Sequence, residues 1–309
     1  MNYQKYKKQL LNLLIDEVQK ATGKRWEDGL WAPKKVRRPH ILPLLGDNNN
    51  EINRANAIRQ YMGFDCSPYF DKDFNGLHTY AHHINSSQIT CLMFFGKLTE
   101  KHGDELKATQ EMVDFIKKAF GIEISTEAVC QFEYEDKRDQ FMFDVDYGGN
   151  IIKGKYEGTS FDFHIKDGDV EIFFEIKLTE EGFGKPKAKD IRHQKKAEQY
   201  FDIAPDFLKN SLCEPLAFLN HYQIYRNIIR VTDSNKYVVF IADENNPATN
   251  VETERGIIEA YKANNVRFIT WQEIIEVAKD LSIDLPFQLK AIKKIKRMKQ
   301  EPPCGRPLK

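Results

Sequence analysis

Apolar side chains recur at helical spacing near the N-terminus, where Tyr6, Leu10, Leu13, Leu14 and Val18 share one face and Gly23 follows as a stop. The spacing predicts a helix there, a weaker one over residues 53–62 and a stronger one over 104–120 that ends at Gly121. The first 120 residues therefore read as mostly helical. From about Ile122 the period changes to strand-like alternation, over residues 128–134, 159–166 and 170–178. Helices return over 189–201 and 214–230. A continuous apolar run at 237–242 then reads as a strand buried on both faces. A helix over 250–263, a strand over 266–270 and a helix over 271–281 complete a parallel crossover unit. The expected fold class is α/β: a mixed sheet of about five strands flanked by helices, with an N-terminal helical region. The expected divisions are residues 1–121, 122–284 and a basic C-terminal helix and tail over 285–309.

Composition narrows the class. With 41% hydrophobic and 30% charged residues the chain is a core-forming protein, and its mean hydropathy of −0.58 and lack of a long apolar run exclude a membrane-spanning helix. The N-terminus does not read as a secretory signal. Cys66, Cys91, Cys130, Cys213 and Cys304 are odd in number and widely spaced, which argues against a disulfide framework and for a reducing cytoplasm.

Net charge is zero, but its distribution is uneven. Basic runs occupy residues 34–38 and 185–196, and eight basic residues stand against Glu301 alone between Leu285 and Lys309. An acidic stretch with Asp162, Asp167, Asp169, Glu171, Glu175, Glu180 and Glu181 lies between them. Acids flanked by bases suit a metal-dependent enzyme acting on a phosphate polymer; solvated surface charge accounts equally well for any one run.

The informative segment is residues 159–178. Asp167-Gly168 between two alternating runs predicts a hairpin with a type I′ turn, in which Lys166 faces Asp169. Ser160, Asp162, His164, Glu171, Phe173, Glu175 and Lys177 then point one way, and Phe161, Phe163, Ile165, Ile172, Phe174, Ile176 and Leu178 the other. Asp162 and Glu175 become diagonal neighbours with Cβ atoms roughly 7–8 Å apart. Two such carboxylates can reach one cation, magnesium–oxygen bonds being about 2.1 Å, and Lys177 lies along the same face. A hairpin with a solvated polar face explains the same spacing.

Asp162 followed by Glu175-Ile176-Lys177 on the paired strand resembles the PD-(D/E)XK motif of the restriction-endonuclease-like superfamily. Glu157-Gly-Thr-Ser-Phe-Asp162, Glu175-Ile-Lys-Leu-Thr-Glu180, Tyr222-Gln-Ile-Tyr-Arg-Asn227 and Asn85-Ser-Ser-Gln88 with Phe94-Phe-Gly96 are similar to a bacterial family of restriction endonucleases within it. The resemblance spans about residues 85–242. It implies Asp162 and Glu175 as ligands of Mg²⁺ or Mn²⁺, Lys177 as the catalytic lysine, and Glu157 as an additional catalytic acid in the loop before the strand. It implies a metal-dependent endonuclease acting on DNA. A homodimer stays open, as do a non-catalytic nucleic-acid-binding protein and a nuclease-fold enzyme acting on RNA or branched DNA.

Gln223 and Arg226 lie three apart on one helix face, where they would contact substrate or the lysine; an amphipathic helix with both exposed is the alternative. Glu180 is an auxiliary acid or a solvated one. Lys293, Lys296 and Arg297 fall on a basic amphipathic helix after Pro286, whose apolar side is Leu289, Ile292, Ile295 and Met298, and they would clamp phosphates. His78, His82 and His83 with Cys66 imitate a zinc site but lack its spacing. Ser86 or Ser87 reads as an N-cap. No phosphate-binding or dinucleotide-binding glycine motif occurs.

Overall fold

Side-chain caps decide where the helices start. The computed structural model describes residues 2–31, 35–136, 143–146, 148–156, 159–184, 191–249 and 254–300. Helix α1 (Tyr3–Thr22) opens where the Asn2 side chain accepts from the Lys5 N–H, and closes at Gly23 in left-handed backbone. A short ribbon, β1 (Gly29–Trp31) with β2 (Val36–Arg38), follows. Helix α2 (Glu51–Met62) is capped by Asn50, and α3 (Ser87–Phe95) by the Ser86 side chain, as expected of that serine. Next come the hairpin β3 (Thr99–His102) and β4 (Glu105–Ala108), helix α4 (Gln110–Phe120) and strand β5 (Val129–Asp136). A second ribbon, β6 (Phe143–Val145) with β7 (Ile151–Tyr156), leads to β8 (Thr159–Asp167) and β9 (Val170–Ile176). Then follow α5 (Ile191–Ile203), α6 (Asp206–Leu212), α7 (Tyr222–Ile228), β10 (Lys236–Ala242), α8 (Glu254–Ala260), β11 (Val266–Thr270), α9 (Trp271–Asp280) and α10 (Phe287–Gln300).

Among the described residues, seven strands form the main sheet in the order β11-β10-β9-β8-β5-β4-β3. β9, β10 and β11 run parallel, and the remaining neighbours are antiparallel. The mixed α/β architecture is the expected one. The sheet is wider than five strands because β3 and β4 extend it at the antiparallel edge. Residues 105–108 were expected to open a long helix; Gly103 at φ +63° instead turns them back as a strand, and the helix begins only where the Thr109 hydroxyl caps Met112.

The sheet separates two cores, which explains the unbroken apolar run of β10: Val239 and Ile241 enter one core, Val238 and Phe240 the other. On the first side α3 is buried along almost its whole length, with the Phe95 ring stacked on Phe163 at 4.8 Å and near Phe174 at 5.3 Å. This core draws in Tyr6 and Leu10 of α1, Trp271 of α9, and Leu289, Ile292 and Ile295 of α10. Leu289, Ile292 and Ile295 are therefore buried as the pattern of α10 predicts, the side chain of Met298 lying outside the described residues, and an ion pair between Lys294 and Glu17 fastens the helix to α1. The second core lies under α5 to α8 and contains Phe173, Tyr200, Phe218, Tyr222 and Tyr225. Among the described residues no helix is long and apolar enough to cross a membrane.

The loop at His40–Leu42 pairs with His82–Ile84 through Leu42 N–H to the His82 carbonyl and Ile84 N–H to the His40 carbonyl. This brings the His40 and His83 rings to 5.8 Å and the His82 and His83 rings to 4.8 Å. Burial, then neighbouring cationic groups, lowers His40 and His82 to about 4 and His83 to about 3. The unfolded chain binds these protons near pH 6.5, whereas the folded chain takes them only near pH 3–4. Stability from this cluster is present above about pH 6.5 and is lost as pH falls toward 4. The melting temperature of His83→Gln should fall less steeply than that of the wild type between pH 7 and 5; parallel curves would show that this cluster does not titrate on unfolding.

Candidate active site at the divergence of two strands

The β8–β9 register runs from Asp167↔Val170 to Phe163↔Phe174. The turn is thus Gly168-Asp169, one residue later than expected, with positive φ at Gly168 and not at Asp169. That is the pattern of a II′ turn, which places glycine first. Because the slip moves the pairing by two, side-chain parity is kept, and the register continued one residue past its last pair sets Asp162 opposite Glu175 rather than diagonal to it.

Beyond Phe163 the strands stop pairing. The Ile176 N–H, which a regular ladder would give to a backbone carbonyl, is taken by the Asp162 carboxylate: Oδ2 accepts it at 2.6 Å. On the other side of β8, Glu133 occupies the register position facing Asp162, and its φ of +49° interrupts the β5–β8 ladder there. The interruption also corrects one expected facing. Phe161 leaves the Phe163 side and packs 4.9 Å from Phe173 in the second core.

Glu175 is buried and fully engaged. Its Oε1 accepts from Lys177 Nζ at 2.5 Å and from Gln223 Nε2 at 2.8 Å, and Oε2 accepts from Asn227 Nδ2 at 3.0 Å. The face carrying Glu175 and Lys177 is thus covered by α7 and is not a solvated hairpin surface. Burial acts to lower the Lys177 pKa, but the Glu175, Asp162 and Glu180 carboxylates overcome it and hold the ammonium above the ordinary lysine range. Asp162 is held well above the usual carboxylate range, first by burial and then by repulsion from Glu175, with Lys177 opposing and Glu133 adding to the shift.

The backbone after Glu175 is fixed from every side. Lys177 donates its N–H to the Ile241 carbonyl at 2.8 Å, and its own carbonyl accepts from the Trp271 indole at 3.0 Å. The Tyr6 and Tyr3 hydroxyls donate to the carbonyls of Leu178 and Thr179, and Glu180 Oε2 accepts from both of those N–H groups. Glu180 therefore caps the strand exit. Tyr6 shares its one proton between the Leu178 carbonyl and Asp243 Oδ2, the nearer acceptor at 2.7 Å, and Gln272 Nε2 donates to Oδ1 of the same buried aspartate.

Of the residues picked out by sequence, Asp162, Glu175, Lys177 and Gln223 converge. Arg226 lies half-buried on the same helix, and Lys293 is half-buried on α10. Glu157 and the side chains of Lys296 and Arg297 lie outside the described residues. Asn227 was missed, although it follows Gln223 by four and shares its helix face. Glu133 was missed because nothing in an alternating strand announces a left-handed residue. Its Oε2 pairs with His78 Nε2 at 3.0 Å, while Oε1 is buried without a partner. His78, His82, His83 and Cys66 build no zinc site; among the described residues no three His, Cys, Asp or Glu side chains converge as metal ligands.

Two neighbouring carboxylates, one held by three hydrogen bonds and the other destabilised in its charged form by burial and by its like-charged neighbour, provide oxygen donors whose repulsion a cation offsets. Carboxylate oxygens suit a hard ion that keeps several waters, as Mg²⁺ does. The residues fit Mg²⁺ or Mn²⁺.

A mixed sheet flanked by helices, with an Asp on one strand facing a Glu-x-Lys on the next, defines a restriction-endonuclease-like protein. The chain belongs to the family described as restriction endonuclease associating with ARP, whose family model matches residues 4–293. No curated protein and no solved structure matches it. Membership gives the chain a nuclease-like role.

Two substitutions probe the construction of this site. Asn227→Leu should leave Glu175 Oε2 buried and unpaired at a cost of about 1–3 kcal/mol in denaturant unfolding. Tyr6→Phe removes a buried hydrogen bond to a carboxylate and should cost about 1.5–3 kcal/mol. A wild-type midpoint in either variant would show that the bond contributes nothing to the fold.

Proposed function

We propose that the protein is a Mg²⁺- or Mn²⁺-dependent endonuclease that hydrolyses DNA phosphodiester bonds. The observation that carries this reading is the convergence of Asp162, Glu175 and Lys177 where β8 and β9 part. Asp162 and Glu175 would hold the metal, which when bound lowers the pKa of a water and offsets charge on the phosphate. Gln223 and Asn227 hold the Glu175 carboxylate in place, so it does not reorient during the reaction. Lys177 keeps its proton at neutral pH. Its part is therefore to orient the attacking water and to stabilise the negative charge that grows on the phosphoryl oxygens, rather than to accept a proton. The water oxygen–phosphorus bond forms as the phosphorus–ester oxygen bond breaks; the attacking water gives its proton to bulk solvent, and the leaving oxygen takes one from a solvent water. Support for a restriction-type role comes from the family alone. The surface residues that read a DNA sequence form no local motif.

Incubation of plasmid and linear DNA with the full chain should give cleavage with Mg²⁺ or Mn²⁺ and none with excess chelator. Lys177→Ala and Glu175→Gln should each lower the rate by about a hundredfold or more. Metal-dependent cutting that survives Lys177→Ala unchanged would remove this site from the reaction.

A further inference from the structure

A cleft of about 930 Å³ opens beside the site, between the outer face of α1 and the β1–β2 ribbon. Its floor is the strand exit itself: Thr179 and Glu180 line it, and Thr179 follows Lys177 by two residues, at most about 7 Å of extended chain. His78, which pairs with Glu133 behind Asp162, lines it as well. The cleft thus lies next to the strand that carries the carboxylate pair, although neither Asp162 nor Glu175 lines it.

Its chemistry is of two kinds. Lys7, Lys8 and Arg38 bring fixed positive charge to the walls, against Glu180 as the single lining acid. Between them stand aromatic rings, Trp31 from the ribbon and Tyr80, which is 50% exposed. His40 and His83 also line the cleft, and with their pKa lowered they present neutral rings at pH 7. The N-terminus of α3 opens onto it at Ser86 and Ser87, adding backbone N–H groups that favour an anion.

Cations alone would suit the outside of any nucleic acid. An exposed ring among them, that of Tyr80, suits only a base that is free to stack, because the bases of a duplex are already stacked on one another. The cleft volume is also within the range of pockets that enclose small ligands, which a duplex does not enter. We infer that this cleft holds an unpaired, single-stranded segment of nucleic acid and leads its backbone toward Asp162 and Glu175. The direction toward cleavage rests on the nuclease reading; the binding does not.

The test is fluorescence anisotropy on the full chain in chelator, so that cleavage plays no part. The probes are labelled oligodeoxyuridylate, labelled oligouridylate and a blunt duplex of mixed sequence. Tyr80→Ala should weaken binding of the preferred single strand about tenfold, within the range for loss of one stacked base, and leave duplex binding unchanged. Lys8→Glu should weaken the same single strand and reduce its salt slope by about 0.7, one phosphate contact. Whichever of the two polymers binds tighter identifies the sugar the cleft accepts. Single-strand binding that neither substitution alters would overturn the inference. So would a duplex weakened by Tyr80→Ala as much as the single strand. A chain that binds single strands in this way but never cuts would overturn the nuclease reading and leave this one standing.

Discussion

The site depends on one exchanged hydrogen bond. Where β8 should continue its ladder with β9, the Asp162 carboxylate accepts the Ile176 N–H in place of a backbone carbonyl. The exchange satisfies a buried donor while ending the pairing, so the two strands can diverge without leaving an orphan group. It also fixes an acidic side chain across from Glu175, at a point where a regular ladder would carry it past. Glu133, in left-handed backbone on the strand behind, breaks the ladder on the other edge of β8 at the same level. Non-glycine residues held in that conformation cost free energy and persist where the surroundings over-determine them.

Buried charge of this kind is expensive unless it is paired and hydrogen-bonded. The protein meets that cost with neighbours from three directions. Helix α7 supplies two amide donors to Glu175 and is itself anchored by Arg230, which pairs with buried Asp136 and donates to Thr159. Helix α9 supplies the Trp271 indole to the Lys177 carbonyl, and α1 supplies two tyrosine hydroxyls to the next two carbonyls. The N-terminal helix is therefore part of the frame that holds the strand exit still, although it lies more than 150 residues away in sequence.

Much of this was legible before the structure. Alternation in residues 159–178 gave the hairpin and put Asp162, Glu175 and Lys177 on one face, because parity survives a two-residue slip in register. Caps and stops at Gly23, Ser86 and Gly121 located helix ends, since each is a local contact between near neighbours. What stayed hidden was non-local or against the alternation. The Thr109 cap lost to a longer apolar periodicity, so β4 read as helix. Phe161 changed side because a residue on another strand broke the ladder. The Tyr6–Asp243 and Gln223–Asn227–Glu175 contacts join segments with no shared pattern, and only packing brings them together.

The central claim is that Asp162 and Glu175 form one cation site. Anomalous diffraction from crystals soaked in Mn²⁺ addresses it directly. The account predicts a peak between the two side chains, with an oxygen of each about 2.1 Å from the ion, and loss of that peak in Asp162→Asn. A peak that avoids both carboxylates, or one that persists unchanged in Asp162→Asn, would contradict it.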